Sequence, residues 1–212
     1  MASRGAARPY HHGNLRAALV EAGLTLARSG GPEAVVLRAV SRDAGVSHNA
    51  AYRHFADHDQ LLAAVSERCM RELADLMRER MTQVRTRDRV RRAWDRLNAI
   101  GRAYVEFATT EPGWFRTAFA IHGSPDQAAS PPTADEGELG PYELLGACLD
   151  ELVAVGALPA ERRPGAEYAA WSTVHGLSTL LLEGPLRTVR AADPSEAERA
   201  VTIALDVVRR GL

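Results

Sequence analysis

Ser47, His48, Asn49, Tyr52, Arg53, His54 and His58 crowd one short stretch of the chain, and their chemistry is hydrogen bonding rather than catalysis. Imidazole, amide and phenol groups offer both donors and acceptors to base edges, and the planar arginine fork matches guanine and phosphate. If the stretch becomes helical at His48, its opening residues are short and polar, and Ala50 and Ala51 let it lie close to a surface. A helix that meets a major groove with its N-terminal residues needs those properties. A plain helical corner in an all-α protein has the same local spacing, so the surroundings must decide.

The surroundings supply a helix-turn-helix pattern. Leu37, Val40 and Ala44 recur at helical spacing and mark one buried face. Gly45 stops that helix, because glycine takes the left-handed conformation at little cost, and Ser47 is a good N-cap for the next one, which the pattern extends to about residue 54. Two short helices bury too little surface to stay folded. A preceding helix from about residue 14 to 28, with Leu15, Ala18, Leu19, Ala22 and Leu26 as its apolar stripe, completes a three-helix unit. Asp57-x-x-Gln60 has the form of a capping box, and from there Leu61, Val65, Cys69, Leu73, Met77 and Met81 recur every fourth residue. That is a helix on the order of 35 Å long at about 1.5 Å per residue, enough to connect this unit to a second one.

Composition narrows the classes. The chain has 212 residues, 46% hydrophobic and 25% charged, with a net charge of −1, as expected of an ordinary globular protein. No apolar run approaches the roughly 18 residues a membrane span needs, and the first residues lack the apolar core of a signal peptide, so a cytoplasmic location without membrane association is expected. The near-zero net charge counts against a wholly basic nucleic-acid binder. Its distribution restores part of the case: Arg4, Arg8 and Arg16 precede any acid, whereas Asp135, Glu136, Glu138, Asp150 and Glu151 lie far downstream. All 26 basic residues are arginines, a bias that genomic composition explains equally well. Cys69 and Cys148 sit in separate apolar patterns and read as buried thiols. His11 and His12 lack partners at ligand spacing, so neither metal nor cofactor is expected.

Residues 10 to about 72 resemble the DNA-binding domain of TetR-family transcriptional regulators. The resemblance rests on Tyr10-His-His-Gly13-Asn-Leu-Arg16, the turn Ala44-Gly45-Val46-Ser47, and Tyr52-Arg-His-Phe55 followed by Leu61-Leu62. It implies base or groove contacts from Arg38, His48, Asn49 and Tyr52, and phosphate contacts from Ser47, Tyr52, His54 and His58. Arg53 joins them from the polar face read above. Three positions depart from the family pattern: Val36 stands where a Thr or Ser usually caps the first helix of the motif, Ser41 where an alanine is usual, and His58 where a lysine is usual. An imidazole holds phosphate as a cation only when protonated, so operator affinity is expected to rise as pH falls from about 7.5 to about 6. Binding at fixed salt checks this; a flat profile refutes it, and a slope that survives His58→Lys shifts the effect to His48 or His54.

The second half is also helical. Val90, Trp94, Leu97, Tyr104, Val105 and Phe107 form one pattern, broken at Glu111-Pro112-Gly113, and residues 114–120 form the most aromatic stretch of the chain. Residues 123–140 are polar, rich in breakers and without period, and read as a loop. Tyr142, Leu145, Leu149, Leu152 and Val153 mark a further helix. Residues 168–182 are apolar or small on nearly every face, which requires cover on more than one side; the chain itself and a second subunit are the expected covers. Ala200, Val201, Ala204, Leu205 and Val208 on the last helix supply a matching stripe. Trp171, His175 and Gly176 resemble the residues for which the WHG domain, a TetR-type C-terminal domain, is named. Trp171 and His175 lie one turn apart, so they either line a pocket with Tyr104, Trp114, Phe115 and Phe119 or fill the core.

The expected protein is all-α: a flexible arm over residues 1–11, a three-helix helix-turn-helix DNA-binding domain over 12–72, and a helical ligand-binding and dimerisation domain over 73–212, joined by the long helix. Its expected partners are double-stranded operator DNA, an apolar or aromatic small-molecule effector, and a second copy paired through the last two helices. The competing readings are a ligand-binding helical dimer without DNA binding, and an enzyme. The chain has no metal-ligand helix, serine nucleophile elbow, phosphate loop or paired carboxylates on one face, which speaks against the enzyme.

Overall fold

The computed structural model describes residues 15–120 and 139–212; the arm and most of the 123–140 stretch lie outside them. The described residues form ten α-helices and two short 3-10 turns. α1 (Leu15–Gly30), α2 (Leu37–Asp43) and α3 (His48–Tyr52) make the N-terminal unit, and α4 (His58–Thr82) runs out of it into α5 (Arg89–Thr110), α6 (Pro112–Ala118), α7 (Pro141–Ala154), α8 (Ala166–Leu182), α9 (Arg187–Ala192) and α10 (Pro194–Gly211).

α1 buries a wider face than the expected one. Leu19 and Ala22 of the expected stripe are buried and Leu15 and Leu26 are half-buried, only Ala18 is exposed, and Val20, Gly23, Leu24 and Ala27 are buried as well. The cause is cover from several sides: α1 packs on α2, α4 and α6 at once, so its apolar arc is wider than a single stripe. α4 starts as its sequence implies, with Asp57 Oδ1 accepting from Gln60 N at 2.8 Å, although the Gln60 side chain reaches back to Ala56 N at 3.1 Å rather than to the cap residue. Leu61, Val65, Cys69, Leu73 and Met77 are buried along it, and Met81 is half-buried.

Pro112 does more than break a helix. It is the first residue of α6, and Glu111 ends α5 and begins α6 in one corner. This corner is seated on the end of α1. Arg28 Nε donates to Glu111 Oε2 at 2.8 Å, the Arg28 guanidinium lies 4.9 Å over the Trp114 ring, and Trp114 Nε1 donates to Leu24 O at 2.8 Å. Gly113 lets the two backbones touch, since a Cβ there would stand 2.2 Å from Ala27 O. On the other side of α6, buried Ser66 of α4 donates to Ala118 O at 2.9 Å.

α8 and α10 pack on each other and on α5. The α10 stripe that matches α8 is taken by the chain itself: Val201, Leu205 and Val208 are buried, with Leu205 pressed over Gly101 of α5. The outward residues of α10 are Ile203 and Val207, 56% and 61% exposed, beside an α8 face of Tyr168, Ser172, Gly176 and Leu180. Val90 is likewise exposed rather than part of the α5 core. α9 has no counterpart in the sequence reading, because it is a single short segment with no full apolar period.

Candidate DNA interface and effector cleft

Gly45, at φ 69°, makes the sharp turn between α2 and α3, and open space surrounds its Cβ position, so the backbone angle alone calls for glycine. Val46 N closes the turn on Ser41 O at 2.9 Å. Ser47 caps α3, its Oγ accepting from Ala50 N at 3.2 Å. Ala51, Phe55, Val40 and Leu37 are buried beneath. The helix therefore faces outward with Asn49 and Tyr52, the latter 49% exposed. His48 is half-buried, its ring edge-on to Tyr52 with centroids 4.6 Å apart, and its Nδ1 is buried without a partner. Arg53 and His54 lie just past the last turn of α3, which ends at Tyr52 and not at His54; both are exposed, as are Arg38 on α2 and His58 at the start of α4.

Two of the three departures from the family pattern have visible consequences. Val36 occupies the N-cap of α2 and gives it no side-chain hydrogen bond. Ser41 is buried, and its hydroxyl is satisfied within its own helix by Leu37 O at 2.6 Å. At the third, His58 Nδ1 lies 3.2 Å from Asp59 Oδ1.

In the second unit, five of the six aromatic candidates meet. Tyr104 is fully buried, with ring centroids 5.2 Å from Trp171 and 5.8 Å from Phe115; Phe119 lies 4.8 Å from His175. The Tyr104 hydroxyl and His175 Nδ1 are 2.8 Å apart. Trp114 does not join them: its indole is committed to the α1 carbonyl and stacks on Phe107 at 6.4 Å. Phe115, Phe119 and His175 form the floor of an open cleft of about 660 Å³ whose walls include Leu62 and Thr179 and reach His58. The sequence reading missed Leu62, Arg116 and Thr179 of this cleft, and Tyr142, whose ring lies 5.7 Å from Trp171. Leu62, beside the apolar stripe of α4, and Tyr142, on an apolar period, carried some signal; Arg116 and Thr179 carried none.

Burial lowers the His175 pKa from its ordinary value and raises that of Tyr104, so both favour their neutral forms. Burial also pushes Cys69 and Cys148 up to about 12, which keeps both thiols protonated. For His175 the unfolded chain binds more protons just below pH 6.5, so its contribution to stability is present above that pH and is lost as pH falls toward the folded value. Thermal unfolding should show a drop in Tm from pH 7.5 to pH 5.5 that is smaller in His175→Gln. An equal drop in both proteins would show that the imidazole is not its source. Among the described residues no His, Cys, Asp or Glu cluster could hold a metal, and no helix is long and apolar enough to cross a membrane.

A short helix presented by its polar leading edge, joined through a long helix to a helical unit with an aromatic-floored cleft, defines a helix-turn-helix regulator with a separate sensing unit. Comparison with known families bears on the same class. Residues 19–65 match the model "Bacterial regulatory proteins, tetR family", and residues 97–208 match "Tetracyclin repressor-like, C-terminal domain". The chain belongs to the TetR family and is a DNA-binding transcriptional regulator of that family. Similar solved structures include a protein of unknown function from Rhodococcus sp. RHA1, 27% identical over 97% of this chain and 99% of that one with a TM-score of 0.73. A TetR-family transcriptional regulator from Pectobacterium atrosepticum is 19% identical over 96% of each chain, with a TM-score of 0.64. A putative tetR family transcription regulator from Shewanella sp. PV-4 is 18% identical over 91% and 97%, with a TM-score of 0.62. No curated protein matches the sequence. The family binds operator DNA, forms dimers and binds small-molecule effectors.

Proposed function

We propose that this chain is a homodimeric repressor that reads a palindromic operator and is released by a small molecule bound in its C-terminal half. It would work in the cytoplasm, with residues 12–72 as the reading unit and 73–212 as the sensing and pairing unit. One observation carries the reading: α3 exposes Asn49 and Tyr52 on a helix whose opposite side is anchored by Ala51 and Phe55. Arg38, His48 and Arg53 would join them at base edges, and Ser47, His54 and His58 at phosphates. Ser47 remains free to donate its hydroxyl proton while its oxygen caps the helix.

Pairing would use the outward faces of α8 and α10, where Ile203, Val207 and Leu180 are exposed around Gly176, whose missing side chain lets helices approach closely. Two-fold symmetry would then set the reading helices about 34–36 Å apart, or a multiple of that. Apolar and aromatic effectors would enter over Phe115, Phe119 and His175, with Tyr104 and Trp171 behind them. A coupling of about 1–3 kcal/mol between the two sites changes operator occupancy several-fold.

The test is a gel shift on the DNA upstream of the protein's own gene. Asn49→Ala and Tyr52→Ala should each weaken specific retention by about tenfold, since one good base contact contributes about 1–3 kcal/mol of discrimination. Retention unchanged in both variants would leave the second reading, a ligand-binding dimer without DNA binding.

A further inference from the structure

The open cleft lies on the seam between the two units. Glu33, from the 3-10 turn after α1, and Leu62, near the start of α4, line it together with residues of α6 and the end of α8. Its floor offers three ring faces: the centroids of Phe115 and Phe119 are 5.1 Å apart, those of Phe115 and His175 5.6 Å, and those of Phe119 and His175 4.8 Å.

The charges around this floor do not balance. Glu183 is the C-cap of α8, where the negative end of the helix dipole disfavours an acid, and the last turn of α8 carries no basic residue. Its ion-pair partner, Arg116 in the last turn of α6, stands 4.0 Å away. Glu33 Oε2 and Arg116 Nε face the empty side-chain position of Gly31 at 3.1 and 3.3 Å, yet among the described residues Glu33 makes no ion pair. Two carboxylates against one guanidinium leave one negative charge in excess. The histidines do not offset it: burial favours the neutral form of His175, and His58 is charged only when protonated. Nor does the start of α4, whose positive dipole end is met by Asp57 at the cap and Asp59 in the first turn.

We propose that the cleft takes an aromatic amine in its ammonium form, with its ring system on Phe115 and Phe119 and its ammonium between the carboxylates of Glu33 and Glu183. The proposal rests on the effector site described above and narrows its ligand class. The volume of about 660 Å³ suits a ligand of drug size, and the ring system supplies affinity through the apolar area it covers. Charge then decides between ligands of one shape. A cation is attracted by the ring faces, by the end of α8 and by the excess carboxylate, whereas an anion meets the same three with the sign reversed.

The ligand occupies a position from which it can act. Glu33 belongs to the reading unit and Glu183 to the sensing unit, so the ammonium ties one to the other across the seam, beside His58, one of the proposed phosphate contacts.

Full-length protein is titrated by calorimetry with naphthylmethylamine, naphthylmethanol and naphthylacetate, which share a ring system and differ in charge. The amine should bind at least about fivefold more tightly than the alcohol, and the alcohol more tightly than the acetate. Glu33→Gln and Glu183→Gln should each weaken the amine about twofold to fivefold, and the double variant should lose most of the preference. Arg116→Gln, which removes the competing guanidinium, should strengthen amine binding. Alcohol affinity should stay within about twofold in all variants, which separates lost charge from lost structure. An alcohol or acetate that binds as tightly as the amine, a preference undiminished in the double variant, or an absence of amine binding each overturns the proposal. Operator binding is measured without probe in the same preparations. Amine binding that fails while operator binding persists refutes this ligand class and leaves the regulator intact, whereas an unaltered chain that binds the amine but not the operator refutes the regulator reading alone.

Discussion

A protein carrying Ile203→Asp and Val207→Asp is expected to sediment as a single 23.0 kDa chain and to lose at least about 100-fold in operator affinity. Both side chains are more than half exposed, so carboxylates there disturb the isolated chain little, whereas in a paired four-helix face they would be buried charges without partners. The loss of affinity is indirect. Joining two reading units makes the second half-site contact intramolecular, which multiplies affinity by about 10²–10⁴. Analytical ultracentrifugation and a gel shift on the same samples read both effects, with Tm as the check on folding. A double variant that remains dimeric would place the pairing surface elsewhere.

Gly113→Ala should lower stability by about 3 kcal/mol, the upper part of the range for overpacking, and Tm by roughly 6–12 °C. The added methyl would fall 2.2 Å from Ala27 O and 2.3 Å from Arg28 O. Both obstacles are backbone, so no rotamer relieves the clash and α6 must lift from α1. Glu111→Ala, which removes a salt bridge to a well-exposed arginine, is the comparison and should cost about 1 kcal/mol or less. Equal Tm values for the two variants would show that the glycine contact yields easily.

The parts legible in the sequence are those in which one helix face answers to one neighbour. α3 could be placed because a glycine turn, a serine cap and a short polar opening act locally, and α4 because its apolar period runs unbroken. The stripe of α1 shows only part of its buried face, because three neighbours cover the helix and burial there follows the packing. The inward turn of Val201 and Leu205 was hidden for the same reason: a helix apolar on two sides does not say which side its own chain takes. Trp114 shows the limit at the site. Its neighbours Phe115 and Phe119 reach the cleft, but one position along a short helix rotates the indole toward α1, and nothing in the spacing foretells the carbonyl it meets. The cleft draws Leu62 and Thr179 from distant helices, a juxtaposition that only the tertiary fold creates.

The seating of Glu111, Gly113 and Trp114 on the end of α1 also bears on how such proteins can be recombined. The reading head is not a detachable cartridge. A hybrid spliced at residue 72 would rest a foreign first helix on a native sixth one, so grafts of specificity must carry residues 111–116 along, and substitutions on either side of that seam must be matched across it during divergence.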